Sequence, residues 1–237
     1  EGLCEGNQPR EEILDACLFQ TTKDENLISL KEYKERMAED QKSIYFITSD
    51  DREKALQSPQ IEGFVNKGYE VIILTDHVDD FWVNVVPEFD GTDFKSVTQA
   101  GQDLEDESNK KQESDENKDQ EENKQAENQD DVRISNLIEK IKEVLGSQIA
   151  DVRTTKRLSE SPVCLTVPEG GMDIRLERFM VENKQMAGPA PKIFEINSDH
   201  KIIKKLADQA SQDNSEADID GKFSDTVKLL FAQANIV

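Results

Sequence analysis

The sequence predicts two domains that both mix helices with strands, a small αβα domain of Rossmann-like type over residues 1–100 and an α+β domain over residues 132–237. Three observations support this prediction: a polar divider, a strand–helix–strand pattern before it, and an irregular mixture of strands and helices after it. The divider, residues 101–131, carries 13 acidic and 4 basic side chains and only Leu104 and Ala126 as apolar ones. Since it can bury almost nothing to offset the entropy of ordering, we predict an acidic disordered linker there.

The strand–helix–strand pattern spans residues 43–76. Two apolar, β-branched runs, Ile44–Thr48 and Val71–Thr75, lie on either side of a segment with helical spacing, long enough for a parallel crossover. Pro59 interrupts the helical segment, which predicts two helical pieces, and Gly68 is placed to end the second one.

The remaining elements of the first domain follow from local signals. The spacing predicts a helix over residues 10–22, and Ser29 with Glu32 forms a capping box that predicts the start of another. A short helix is expected in VDDFWVNVVPEF, ended by Pro87, and then a brief strand over 94–97.

The second domain is predicted to open with an amphipathic helix that carries its apolar side chains from Ile134 to Leu145. Further strands are expected at 149–155, 163–167 and 192–197, with helices at 172–184, after Asp199 (as a cap) and over 223–234. This order favours an α+β fold over a doubly wound sheet.

The turn after the first strand of the 43–76 unit bears on function. A nucleotide-binding unit needs glycines there, because backbone N–H groups must approach a phosphate closely. This chain has Ser49, Asp50 and Asp51 instead, which places two carboxylates where a phosphate would sit. The turn therefore favours a scaffold or binding role over catalysis.

Composition excludes several other classes of function. The net charge is −22, which argues against nucleic acid or an anionic membrane as a partner. No apolar run is long enough to span a membrane, and the first ten residues have no secretory signal. The three widely spaced cysteines are expected to be free thiols in the cytoplasm. His77 and His200 lack ligand-spaced neighbours, so we expect neither a metal site nor catalytic residues.

Apolar side chains at two places indicate a binding surface. Along the 172–184 helix, Met172, Leu176, Phe179 and Met180 form one stripe, while Ile174 and Val181 fall near the opposite side. The helix is either core or a binding face, and we expect the stripe to face solvent with the other two residues turned inward. Phe81, Trp82 and Val83 are consecutive on a short helix, so they cannot all point inward; Trp82 is either core or exposed.

These segments together resemble the ninety-kilodalton heat-shock protein family of chaperones, and its bacterial branch, the HtpG type, most closely. The resemblance rests on SLKEYKERM, the whole 43–76 unit, VDDFWVNVVPEFDG, FKSV, VRTTKRLSESPVCLTV and KIFEINSDHKIIKKLAD, in that order. It implies that residues 1–100 are the latter part of a middle domain. Residues 132–237 would then be most of a C-terminal dimerisation-type domain, truncated before its closing helix.

The resemblance also implies a function in protein folding and the stress response. The family binds unfolded or partly folded client proteins on apolar surfaces, which match Phe81, Trp82 and Asn84 on one side and the Met172–Met180 stripe on the other. ATP and magnesium belong to an N-terminal domain of the parent ATPase, so this piece is expected to hold no cofactor and not to be an enzyme. The parent is expected to be a homodimer, with a dimer-side helix that carries Phe223, Val227, Leu230 and Phe231.

An alternative remains open, a small-molecule or effector-binding α/β module without catalytic activity. Such a module needs a deep pocket with convergent polar groups at the carboxyl ends of its strands. A chaperone surface would instead be shallow, wide and apolar.

Overall fold

A computed structural model describes residues 2–5, 10–23, 25–101, 104, 124–211 and 217–236; for 124–130 and 217–220 it describes the backbone alone. The chain divides into two compact units. Unit 1 consists of residues 1–101 and 169–190, and unit 2 of residues 102–168 and 191–237.

The bounds of the helices and strands are as follows, in chain order. The helices are α1 (Arg10–Ala16), α2 (Leu30–Arg36), α3 (Arg52–Leu56), α4 (Pro59–Asn66), α5 (Asp79–Val85), α6 (Lys124–Leu145), α7 (Ile174–Glu182), α8 (Lys201–Ser211) and α9 (Ala217–Ile236). The strands are β1 (Leu18–Thr21), β2 (Ile28–Ser29), β3 (Ile44–Thr48), β4 (Ile72–Leu74), β5 (Glu88–Phe89), β6 (Thr92–Ser96), β7 (Ile149–Thr154), β8 (Val163–Thr166) and β9 (Lys192–Ile196). Short 3-10 turns lie at Gly2–Cys4 and Gly146–Gln148.

Unit 1 is built on a mixed sheet with the strand order β2-β1-β4-β3-β6-β5. Its centre is parallel: β3 pairs with β4 (Ile47 opposite Ile73) and with β6 (Tyr45 opposite Lys95). β1 and β5 add antiparallel neighbours on the two sides. The predicted strand–helix–strand unit is confirmed, because β3 and β4 are parallel neighbours joined through α3 and α4.

Helices cover both faces of this sheet because its central strands are apolar on both faces. Ile44 and Phe46 of β3 lie in a core cluster with residues from α1, α2 and α5, whereas Tyr45, next along the strand, packs on Phe64 of α4 with ring centroids 4.7 Å apart. α5 and its neighbours are thereby held against the sheet from one side.

The local signals in unit 1 hold in most places. Ser29 and Glu32 make both halves of the capping box at the start of α2. Pro59 is the first residue of α4, and Gly68, at φ +79°, follows the end of that helix. The helix predicted over 10–22 is wrong in its second half, because residues 18–21 form β1 and pair with β4, so sheet pairing overrides the helical spacing.

Unit 2 contains a sheet with the order β7-β9-β8, in which β7 and β9 are parallel and β8 and β9 are antiparallel. Its core joins α6, α8 and α9 to that sheet; Leu137, Ile141, Ile203 and Val227 are all at most 1% exposed. The strands and helices predicted after residue 132 are therefore present. Asp199 does not cap α8, because His200 takes that position and its Nδ1 accepts the N–H of Ile202 at 3.2 Å.

The observed units depart from the predicted boundaries in two respects. Residues 169–190, predicted as part of the second domain, belong to unit 1. Residues 124–131 are helical in α6, so the prediction of disorder is wrong there: good helix formers extend a helix that the apolar pattern has already nucleated. Leu104 is buried, and residues 102–103 and 105–123 lie outside the described part of the chain.

Candidate functional site

Helix α5 presents two successive aromatic residues to different surroundings. The Trp82 side chain is 3% exposed, and its indole N–H donates to Asp79 Oδ1 at 2.6 Å. Phe81, one residue earlier and about 100° around the helix, is 36% exposed. The prediction that Trp82 contributes exposed client-binding surface is wrong, because the core under α5 takes the larger ring and leaves Phe81 outside.

An apolar groove runs beside Phe81 within unit 1. It has a volume of about 580 Å³ and is lined by residues of the first 3-10 turn, α5 and α7: Cys4, Glu5, Val78, Asp80, Phe81, Asn84, Val85 and Leu176. Asn84 is exposed, and its side-chain amide donates to the Asp80 carbonyl oxygen at 2.8 Å. Two of the predicted client-binding residues of α5, Phe81 and Asn84, therefore border the same groove.

The start of α7 is fixed to the sheet of unit 1 by one carboxylate. Asp173 caps the helix by accepting the Arg175 N–H at 2.9 Å. The same carboxylate accepts the Ser96 hydroxyl at 2.6 Å and the Thr98 hydroxyl at 2.9 Å, and Thr48 lies 3.5 Å away. Because these hydroxyls follow the carboxyl ends of β6 and β3, Asp173 anchors α7 at that edge of the sheet.

Arg175 forms a second polar attachment. Its guanidinium lies 3.5 Å from the buried Asp80 carboxylate and 3.6 Å from Asp50, and it donates to the Ser49 carbonyl oxygen. The loop after β3, where a bound phosphate would lie in a nucleotide-binding unit, is thus contacted by a side chain of this same chain. The polar groups at this edge converge on α7, which removes the main structural requirement of the effector-binding alternative.

The carboxylates beneath Arg175 are held in an apolar setting. Burial raises the pKa of Asp79, an effect opposed by the hydrogen bond from Trp82. Burial likewise raises the pKa of Asp80, opposed by Arg175. Asp80 Oδ1 has no hydrogen-bond partner among the described residues. Arg175 therefore offsets part of the cost of burying the Asp80 carboxylate, and this contact ties α7 to α5.

The predicted stripe on α7 lies against α5 rather than standing free in solvent. Phe179 meets Phe81 edge-to-face with ring centroids 5.2 Å apart, and Leu176 lines the groove. Leu176, Phe179 and Met180 are half-buried, and Met172 is exposed. Ile174 and Val181 are also half-buried. The expected contrast between a solvent-facing stripe and an inward-facing pair is wrong, since both rows share the partial burial of a helix lying on a surface.

The residues predicted for the dimer-side helix face their own unit. Phe223, Val227 and Leu230 of α9 are buried, and Phe231 packs edge-to-face on Phe194 of β9 at 5.9 Å. Among the side chains of α9 that the structure describes, the large apolar ones that are exposed are Leu229 and Ile236, 68% and 79% exposed. The apolar spacing predicted the helix correctly, but the four residues it singled out form the face of α9 that packs into the core of unit 2.

Sequence patterns gave no sign of the two residues that hold α7 in place. Asp173 has the features of an ordinary helix cap, and no sequence motif pairs Arg175 with Asp80, 95 positions earlier.

Among the residues that the structure describes, no group of three or more His, Cys, Asp or Glu side chains is arranged to hold a metal ion. Within the same residues, none of the helices has the length and apolar character to cross a membrane.

The chain is similar in sequence to known proteins over its whole length. The family model described as Hsp90 protein matches residues 1–237. The chaperone protein HtpG of Orientia tsutsugamushi (strain Boryong) is 44% identical over 206 residues, covering 87% of this chain and 32% of that protein. HtpG of Ehrlichia ruminantium (strain Gardel) is 41% identical and HtpG of Roseobacter denitrificans 42% identical, each covering 100% of this chain and 36% of the relative. The chain thus spans about a third of the length of the curated relatives that it matches.

Proposed function

Because this chain belongs to the ninety-kilodalton heat-shock protein family of chaperones and is of the bacterial HtpG type, we propose that it binds non-native client proteins through the apolar surface of α5 and α7. The observation that carries the proposal is the meeting of Phe81, Leu176 and Phe179 in unit 1. These residues come from two segments about 95 positions apart in sequence, and they form one half-exposed apolar surface beside an open groove.

The chemistry of this surface suits an unfolded polypeptide. Apolar burial yields roughly 25 cal/mol per Å², so a few exposed side chains give weak and reversible binding. The groove is lined mainly by aliphatic and aromatic groups, which do not select for a particular sequence. Such a surface holds exposed apolar segments of many proteins and releases them readily.

The role of the parent protein is part of the same proposal. Client binding here is coupled to the ATP-driven cycle of an N-terminal domain outside this chain, where ATP and magnesium bind. The piece itself acts without a cofactor in the cytoplasm and is not an enzyme. The parent is a homodimer, and Leu229 and Ile236 are exposed apolar side chains in the described part of α9 that suit such a contact.

The test is binding of a fluorescent, apolar, unstructured peptide to the 237-residue chain, followed by anisotropy. We expect Phe81→Ser to weaken binding about tenfold or more. Leu56→Ser is the matched control, because Leu56 is 38% exposed, close to the 36% of Phe81, but lies on α3 and does not line the groove. Equal effects of the two variants, or no binding by the unmodified chain, would contradict the proposal. Tight binding of a small molecule in the groove, with no peptide binding, would favour the effector-binding alternative.

A further inference from the structure

The segment that carries α7, residues 169–190, is inserted in sequence between β8 and β9 of unit 2. These two strands pair directly with each other in antiparallel register, with Thr166 opposite Ile193. The sheet of unit 2 is therefore complete without α7. Residues 169–190 pack instead within unit 1, where α7 lies against α5.

The docking of α7 in unit 1 buries little of the helix. Of the nine residues of α7 only Glu177 is buried; its carboxylate accepts the backbone N–H of Ala190 at 2.8 Å and so closes the segment on itself. Every apolar side chain of the helix is only half-buried. An element with few buried apolar contacts opens at a low free-energy cost compared with the core. The anchors at Asp173 and Arg175 therefore set how much of the time α7 is docked.

Docking also covers the proposed client surface. In the docked state Phe179 occupies one edge of Phe81, and Leu176 forms a wall of the groove. A client side chain that entered fully between α5 and α7 would have to replace these contacts. The apolar residues of α5 and α7 thus contact each other, and the area they bury against each other is not available to a client.

We propose that α7 is a reversible internal cover: docked through Asp173 on Ser96 and Thr98, it covers one edge of Phe81 and half-buries its own apolar stripe, and its release exposes both to a client. This inference rests on the proposed function, because it concerns regulation of that same surface. The apparent affinity for a client is then the intrinsic affinity multiplied by the fraction of molecules in which α7 is released, so a larger released fraction gives tighter binding.

Asp173→Ser is the informative variant. Serine is as good a helix cap as aspartate, so the start of α7 keeps its capping partner, whereas the shorter, uncharged side chain cannot bridge to Ser96 and Thr98. The pair Ser96→Ala with Thr98→Val removes the same hydrogen bonds from the sheet side with little change of shape. Asp51→Ser is the matched control, because Asp51 caps α3 by accepting the Lys54 N–H at 2.8 Å and has no part in the groove.

Two measurements on the 237-residue chain test the proposal: amide hydrogen exchange of residues 174–182 and anisotropy binding of the apolar peptide. We expect both anchor variants to speed exchange in α7 and to tighten peptide binding roughly tenfold, while Asp51→Ser changes neither.

Unchanged exchange in α7 would overturn the role of the anchor. Faster exchange with unchanged or weaker peptide binding would overturn the competition, because the contact of α7 with Phe81 would then not obstruct a client. Both of those results leave the proposed function standing. Absence of peptide binding by every variant, including the unmodified chain, would overturn the proposed function and the proposed role of α7 together.

Discussion

A buried ion pair in unit 2 makes a large contribution to stability that a single substitution can test. Arg157 Nε lies 2.5 Å from Glu195 Oε2, with the two side chains 2% and 10% exposed. Glu195 Oε1 accepts the Thr166 hydroxyl at 3.0 Å, and Arg157 Nη2 lies 3.1 Å from Cys164 Sγ. The pair sits where β8 and β9 meet and has almost no access to water.

Removing the cation while leaving the anion tests how strongly the two depend on each other. In Arg157→Met the methionine fills much of the arginine volume, but Glu195 keeps a buried charge with Thr166 as its remaining partner. Breaking a buried pair in this way typically costs about 3–5 kcal/mol. Arg157→Met with Glu195→Leu removes both charges and should recover most of that loss, because no uncompensated charge remains.

Urea unfolding followed by far-ultraviolet circular dichroism measures the loss. With a slope of about 2 kcal/mol per M, the single variant should lower the midpoint of the unit 2 transition by roughly 1.5–2.5 M. Trp82, the only tryptophan, lies in unit 1, and its fluorescence provides an internal control that should change little. A midpoint shift below about 0.5 M, or a double variant less stable than the single one, would refute the reasoning.

Two further predictions concern stability. Trp82→Ala should lower the free energy of unfolding by about 3–5 kcal/mol, whereas Phe81→Ala should cost about 1 kcal/mol, because only the first empties a buried site; similar losses in denaturant melts would contradict the assignment of Trp82 to the core. Lys142→Met should cost about 0.5–1 kcal/mol near pH 7, a range reduced for solvent exposure, because the hydrogen bond from Lys142 is the largest of the causes that lower the pKa of Asp151 from 3.8 to about 2. The lowered pKa contributes stability above pH 3.8 that is lost as the pH falls through about 2, so the difference between wild type and variant should persist at pH 5, shrink as the pH approaches 2 and vanish below it.

Local signals in the sequence were sufficient for most of the fold. β3 and β4 are runs rich in β-branched and other apolar residues, and α2 and α4 start at a capping box and a proline, so short-range chemistry determines each of them. β1 was missed because residues 18–21 extend the helical spacing of α1, whereas pairing with β2 and with β4, the latter some 50 positions later, makes them a strand. Pairing of that kind leaves no mark in a local window.

The candidate site was predictable in its residue types but not in its geometry. Phe81, Leu176 and Phe179 were identified as apolar side chains on helices, yet the sequence placed them in separate domains. Their meeting depends on Asp173 reaching hydroxyls about 75 positions earlier. Helix-capping residues, serines and threonines are so common that the sequence cannot predict which of them will contact one another. The choice between Phe81 and Trp82 for the core was likewise set by the volume beneath α5, which periodicity does not encode.

The insertion of α7, which belongs to unit 1 although the sequence on both sides of it belongs to unit 2, also sets the order in which the chain can fold during synthesis. Thr98 leaves the ribosome 75 residues before Asp173. At about 5–20 residues per second, the carboxyl edge of the β3–β6 sheet stays uncovered for roughly 4–15 seconds, and the ring of Phe81 waits for Phe179 for roughly 5–20 seconds. The earlier part of the first unit must therefore form its sheet and core with Phe81 exposed. Closure by α7 is a late step, added when the second unit has been made.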